Sequence, residues 1–213
     1  GGMLDNEFDR EQAMGAPVAI PDFDTVAIAA DITDPGMILS SDLEVEIAAV
    51  ISNQADAYGL TRAQNAGIPT EVFDLKDVLG DGGNREAFDV ELAGLVAAHE
   101  PDLIVLAGWM LILGEGFLNR FPKKVINLHP AMPGAFPGTH AIERAYEAYH
   151  RGDIKRTGVM VHWLIPEVDA GPVVTMEPVP ILPDDSVDEL EERVHEVEHN
   201  LIVAAVALAL GQT

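Results

Sequence analysis

Short apolar runs alternate along this chain with stretches of helical period, and few folds tolerate that alternation. The runs at residues 16–20, 44–51, 70–73, 103–107 and 125–128 are short, rich in β-branched residues and suited to buried strands. Between them the spacing changes: in residues 85–99, Phe88, Leu92, Leu95 and Val96 form one helical stripe. Gly67-Ile68-Pro69 punctuates a helix end before a strand. Strands joined by helices return to the same sheet by crossovers. The expected fold is therefore a single α/β domain, Rossmann-like, with a mostly parallel central sheet flanked by helices. In this reading residues 26–34 form the first helix, after strand 16–20, and stop at Pro35-Gly36. Beyond Gly138 come a helix (141–150), a long strand (158–165) and a second strand (172–179). The last helix opens on a capping box, Ser186-Val187-Asp188-Glu189, and turns Leu190, Val194, Val197 and Leu201 to the core.

The 213 residues suit one compact domain, and 48% apolar residues can fill its core. Residues 1–15 read as a tag remnant and flexible N-terminus, and 16–213 as the domain. The absence of cysteine excludes a disulfide framework, a thiol nucleophile and a thiolate metal site. Residues 3–15 are too polar for a signal peptide, and the apolar stretch 201–210 is about half a membrane span. A soluble, cytoplasmic protein is expected. Twelve basic against thirty-six acidic residues give a net charge of −24, which excludes a general nucleic-acid binder. Such a field also repels an anionic substrate at long range. Salt screens it beyond about 8–10 Å, so local residues decide binding. A salt-adapted protein would carry the same acidic coat.

The chemistry concentrates in Val125-Ile126-Asn127-Leu128-His129-Pro130. Two apart on a strand, Asn127 and His129 point to one face. Pro130 ends the pairing and leaves both at the strand's carboxyl end, where open α/β sheets bind ligands. An amide and an imidazole so placed can stabilise a developing oxyanion. They are equally compatible with a polar strand terminus holding a satisfied histidine. His195-Glu196-Val197-Glu198-His199 satisfies the H-E-x-x-H zinc pattern, but no third ligand follows it, and no metal is expected. Gly80-Asp81-Gly82-Gly83-Asn84 lacks the lysine of a nucleotide loop and reads as a turn.

Four motifs in order extend this signal: Asn127-Leu128-His129-Pro130-Ala131, Phe136-Pro137-Gly138-Thr139-His140, Gly158-Val159-Met160-Val161-His162-Trp163 and Glu167-Val168-Asp169-Ala170-Gly171-Pro172. With Leu106 to Leu113 before them and Arg193-Val194-His195 to Glu198-His199 after, the series resembles the glycinamide ribonucleotide formyltransferases. Val50-Ile51-Ser52-Asn53 and Ala57-Tyr58-Gly59-Leu60 fit the same pattern, so the resemblance runs from about residue 44 to the end. It implies transfer of a formyl group from 10-formyltetrahydrofolate, as co-substrate, to a primary amine. By motif, His129 would stabilise the tetrahedral oxyanion and Asn127 would donate a second hydrogen bond. Asp169 would pair with His129, raise its imidazolium fraction and help the amine proton leave. The resemblance places a pterin slot at Met110, Leu111, Ile112 and Leu113, with Leu118, Ile165, Glu167 and Val168. Leu111 stands where many members carry arginine, and main-chain contacts would survive that change. Glu198 matches the acidic residue that holds the amine, with Pro130 beside it, and could equally be a solvated helix charge. The implied partners are a small-molecule amine and a folate, with neither nucleic acid nor membrane, in a monomer or homodimer.

One departure concerns the family's Ser-Gly-x-Gly-Ser-Asn turn, which follows the first strand and cradles a phosphate. With residues 16–20 as that strand, the corresponding stretch is Pro21-Asp22-Phe23-Asp24-Thr25. It has no glycine, Pro21 lacks an N–H, and Asp22 and Asp24 repel an anion. Arg85 is the remaining anion partner on the family pattern. Two alternatives follow: a formyltransferase for an unphosphorylated amine, or a non-catalytic folate- or amine-binding relic.

Overall fold

The computed structural model describes residues 24–30, 38, 41–80 and 84–212. Seven strands form one sheet: β1 (Asp24–Ala30), β2 (Val45–Ser52), β3 (Thr70–Val72), β4 (Leu103–Ala107), β5 (Val125–His129), β6 (Arg156–Trp163) and β7 (Val173–Pro180). Their order is β3-β2-β1-β4-β5-β6-β7. The first five run parallel, and β6 and β7 are antiparallel additions. The helices are α1 (Tyr58–Asn65), α2 (Leu75–Leu79), α3 (Arg85–Ala97), α4 (Glu115–Leu118), α5 (Ala141–His150) and α6 (Val187–Leu210). From β1 the chain builds outward to β2 and β3, then returns to lay β4 on the other side of β1. That reversal is a topological switch point, and it opens a crevice beyond the carboxyl ends of the strands.

Most expected elements are found within a residue or two of their predicted bounds. The N-terminal ones differ. Residues 24–30 are not the start of a helix but the central strand β1, hydrogen-bonded to β2 on one side and β4 on the other. The run Val26-Ala27-Ile28-Ala29-Ala30 is short and apolar, a pattern shared by buried strands and helices. Its place between two strands decides it. The expected strand at residues 16–20 lies outside the described residues. Pro21 to Asp24 therefore precede or open the first described strand, and the segment that follows β1 begins at Asp31.

Side chains alternate across the sheet as strand geometry demands. Leu103, Val105, Ile126 and Leu128 pack with Leu190, Val194, Leu201 and Ile202 of α6. Ile104, Leu106 and Val125 pack on the opposite face with Phe88, Leu92 and Val96 of α3. All five residues of β4 are buried, as a strand covered on both faces requires. The capping box forms as expected: Ser186 Oγ accepts from Glu189 N, and Ser186 N donates to Glu189 Oε2 at 2.8 Å. It launches α6 so that its middle turns pass the crevice.

Candidate active site

Asn127 and His129 lie at the carboxyl end of β5, facing away from the Ile126/Leu128 layer. His129, the last residue of the strand, is buried. Across the antiparallel pairing, His162 of β6 lies opposite Asn127. The loop after β6 returns Asp169 to the same place. That loop is tight: a Cβ on Gly171 would come within 1.7 Å of the Trp163 carbonyl oxygen, and Asp169 itself sits at φ 51°. A glycine is required at 171 for the chain to close over Trp163.

Asp169 is the hub of the site. Its Oδ2 accepts from the Gly138 N–H at 2.8 Å and stands 3.5 Å from His129 Nδ1. Its Oδ1 accepts from Asn127 Nδ2 at 3.3 Å and lies 3.5 Å from His162 Nε2. Burial pushes the Asp169 carboxyl up, but His162, the Gly138 N–H and His129 outweigh it and hold the group below its ordinary value. His129 behaves differently from the expectation. Burial draws its pKa down, the Asp169 charge opposes that and His162 reinforces it, and the net shift is downward. Asp169 does raise the imidazolium fraction, as expected, but the burial of the ring outweighs that charge, and His129 stays below an ordinary histidine. His129 Nε2 is buried with no hydrogen-bond partner, a polar atom left for something else to meet.

These groups border a cavity of about 410 Å³. Of the predicted residues, Met110, Leu111, Ile112, Leu113, Ile165 and Val168 line it with Asn127, His129, Pro130, Asp169 and Glu198. Met110 and Ile112 are 56% and 64% exposed, large apolar side chains offered to the opening. Three predicted residues are not part of the lining. Leu118 packs against the α3 layer, and Glu167 is exposed. Arg85 turns its guanidinium to the Ile112 carbonyl, 3.9 Å from Asp89 and over the Phe88 ring. Glu198 is more than a solvated charge: it is 8% exposed. Burial, and then the Glu191 charge, push its carboxyl up to about 7. His195 stands 3.8 Å away, so the H-E-x-x-H pattern resolves into a Glu198 environment. Among the described residues no group of three His, Asp or Glu could hold a metal ion.

Sequence reasoning left out His162, although its motif was in view. The signal was its register: an antiparallel strand pairing with β5 brings its histidine opposite Asn127. It also gave no place in this site to His140, Glu143, Glu191 and His195, which line the cavity. His195 and Glu191 stand at i+4 and, with Glu198 at i+7, share one face of α6.

A switch-point crevice with an imidazole, a carboxylate and an amide at one end of an apolar slot defines an α/β group-transfer enzyme. A profile described as formyl transferase matches residues 28–206, and the chain belongs to the formyl transferase family. It is 46% identical over 178 residues to the phosphoribosylglycinamide formyltransferase of Dictyostelium discoideum, covering 79% of this chain and 86% of that protein. The Schizosaccharomyces pombe phosphoribosylglycinamide formyltransferase is also 46% identical, over 169 residues, with 76% and 82% covered. Among solved structures, glycinamide ribonucleotide transformylase 1 of Geobacillus kaustophilus superposes with a TM-score of 0.78 at 31% identity, over 90% of this chain and all of that one.

Proposed function

We propose that this enzyme transfers the formyl group of 10-formyltetrahydrofolate to the primary amine of glycinamide ribonucleotide, a step of purine biosynthesis. The observation that carries the reading is the buried, unpartnered His129 Nε2, flanked by Asn127 and Asp169 at the end of an apolar slot. Attack of an amine on a formyl carbon puts negative charge on oxygen and positive charge on nitrogen together. His129 Nε2, carrying a proton, meets the oxygen, and Asp169 draws the proton that leaves nitrogen. A pteridine lies along Met110 to Leu113, Ile165 and Val168, where main-chain groups read its polar edge. Glu198 and the Pro130 carbonyl hold the amine. No covalent enzyme intermediate is needed. No described helix is long and apolar enough to cross a membrane, and we place the enzyme in the cytoplasm as a monomer or homodimer.

A second reading, a formyltransferase for an unphosphorylated amine, is favoured by one observation. The segment after β1 reads Asp31-Ile32-Thr33-Asp34-Pro35-Gly36, with two carboxylates and no Ser-Gly-x-Gly-Ser-Asn turn. The test is a panel assay with 10-formyltetrahydrofolate and phosphorylated or unphosphorylated amines. Turnover with the ribonucleotide, lost about 10²–10³-fold in His129→Ala and Asp169→Asn, supports the first reading. Turnover only with unphosphorylated amines supports the second. Folate binding without turnover of any amine refutes both and leaves a binding relic.

A further inference from the structure

The wall of the apolar slot does not hold itself. Between β4 and α4 the chain runs without regular structure, and among the described residues no main-chain to main-chain hydrogen bond engages Met110 to Leu113. Leu111 and Leu113 pack against the α3 layer, while Met110 and Ile112 stay exposed. Packing of this kind fixes which side chains turn inward. It does not fix where the N–H and carbonyl groups point, and those are the groups that read the polar edge of a pteridine.

Two side chains one turn apart on α3 reach across to this main chain. Arg85 donates from Nη2 to the Ile112 carbonyl oxygen, and Asp89 Oδ2 accepts from the Gly114 N–H at 2.9 Å. They stand at i and i+4, with Arg85 Nη2 3.9 Å from Asp89 Oδ1, so each charge steadies the other. The two bonds grip the chain on either side of Leu113. Gly114 allows the approach: a Cβ there would stand 2.6 Å from Asp89 Oδ2, although its φ of −90° is open to any residue. Glycine is needed at 114 for the carboxylate, not for the backbone angle. Asp89 is 5% exposed, and its Oδ1 is buried with no hydrogen-bond partner. An oxygen left unmet costs stability, so packing alone would select an apolar side chain at this place. The bond to Gly114 is what the carboxylate adds.

We propose that Asp89, supported by Arg85, is a positioning residue for the folate slot: by holding the Gly114 N–H it fixes the main chain of Ile112 to Gly114, the end of the slot wall. This rests on the formyl-transfer reading given above. Asp89 is not part of the cavity lining and meets neither substrate. Its effect therefore falls on folate binding and spares both the amine and the chemistry at Asn127, His129 and Asp169.

The test compares Asp89→Ala, Asp89→Asn and Gly114→Ala with the parent enzyme. Asp89→Ala should raise the KM for 10-formyltetrahydrofolate, and the Kd for tetrahydrofolate by calorimetry, about 10–100-fold. Its kcat at saturating folate and its KM for glycinamide ribonucleotide should change far less. Asp89→Asn keeps an oxygen for the Gly114 N–H and should recover most of the folate affinity. Gly114→Ala drives the carboxylate off from the other side and should weaken folate in the same way. Combined with Asp89→Ala it should add nothing, because the room for its Cβ is then free. Amide exchange read by NMR gives a measure that needs no turnover: the Gly114 N–H should be protected in the parent and in Asp89→Asn, and exchange faster in Asp89→Ala. Parental folate affinity in Asp89→Ala, losses in kcat or amine KM as large as those for folate, no recovery in Asp89→Asn, or losses that add in the double variant would each overturn the proposal. A parent that turns over no amine while these folate affinities move as expected would instead sink the proposed function.

Discussion

Replacing Glu198 by Gln should make this protein more stable at pH 8 and almost unchanged near pH 4. In the folded state the Glu198 carboxyl keeps its proton up to about 7, against 4.5 for the same group in an open chain. Between those two values the native state binds more protons than the unfolded one. Stability therefore falls as pH rises through that window and levels off above it. Each pH unit of the window is worth about 1.4 kcal/mol, so the ionised group costs at most about 3 kcal/mol at pH 8. At pH 5 the remaining cost is about 1 kcal/mol. The cause is burial beside the Glu191 charge, with His195 3.8 Å away. Glutamine keeps the shape and removes the charge. Urea denaturation of both proteins should give a stability difference about 2–3 kcal/mol larger at pH 8 than at pH 5. The same substitution should weaken amine binding, because a cation entering the cavity would recover the cost of the buried carboxylate. Equal differences at the two pH values, or a variant less stable at pH 8, would refute the reasoning.

Three further outcomes follow from other parts of the molecule. Ile112→Asp should abolish folate binding without unfolding the domain, since Ile112 is 64% exposed; unchanged quenching of Trp109 fluorescence by a folate analogue would move the slot elsewhere. Gly171→Ala should destabilise the fold by about 1–3 kcal/mol, because its Cβ would overlap the Trp163 carbonyl at 1.7 Å; a parental thermal midpoint would show that the loop shifts freely. Raising sodium chloride from about 0.1 to 1 M shortens the screening length from about 10 to 3 Å, and with a net charge of −24 the thermal midpoint should rise; a flat or falling midpoint would remove self-repulsion as a destabilising force.

Much of the site was legible in residue order because its chemistry is local. Asn127 and His129 share a face of one strand by the period of the pleat alone, and Pro130 ends that strand wherever it is placed. Ser186 and Glu189 cap α6 through contacts three residues apart. The apolar slot from Met110 to Leu113 could be placed because it is one continuous segment. That Arg85, Leu118 and Glu167 lie outside the cavity lining was not legible, for the opposite reason. Which way each side chain turns depends on the Ile112 carbonyl, the α3 layer and the path of a loop, none of which a neighbouring residue specifies.

By itself the sequence determined the alternation that makes a wound α/β sheet, the strand end that bears an amide and an imidazole, and the cap that starts the last helix. Each is a short-range consequence of period, of a missing N–H or of a side chain reaching its own backbone. Tertiary structure decided the rest. Val26 to Ala30 became the central strand because β2 and β4 flank it, although its composition suits a helix as well. His162 joined the site because β6 runs antiparallel to β5 and places it opposite Asn127. The state of His129 and Glu198 was decided there too. The free energy of a charge depends on the water removed around it and on the charges brought near, and only the folded chain sets both.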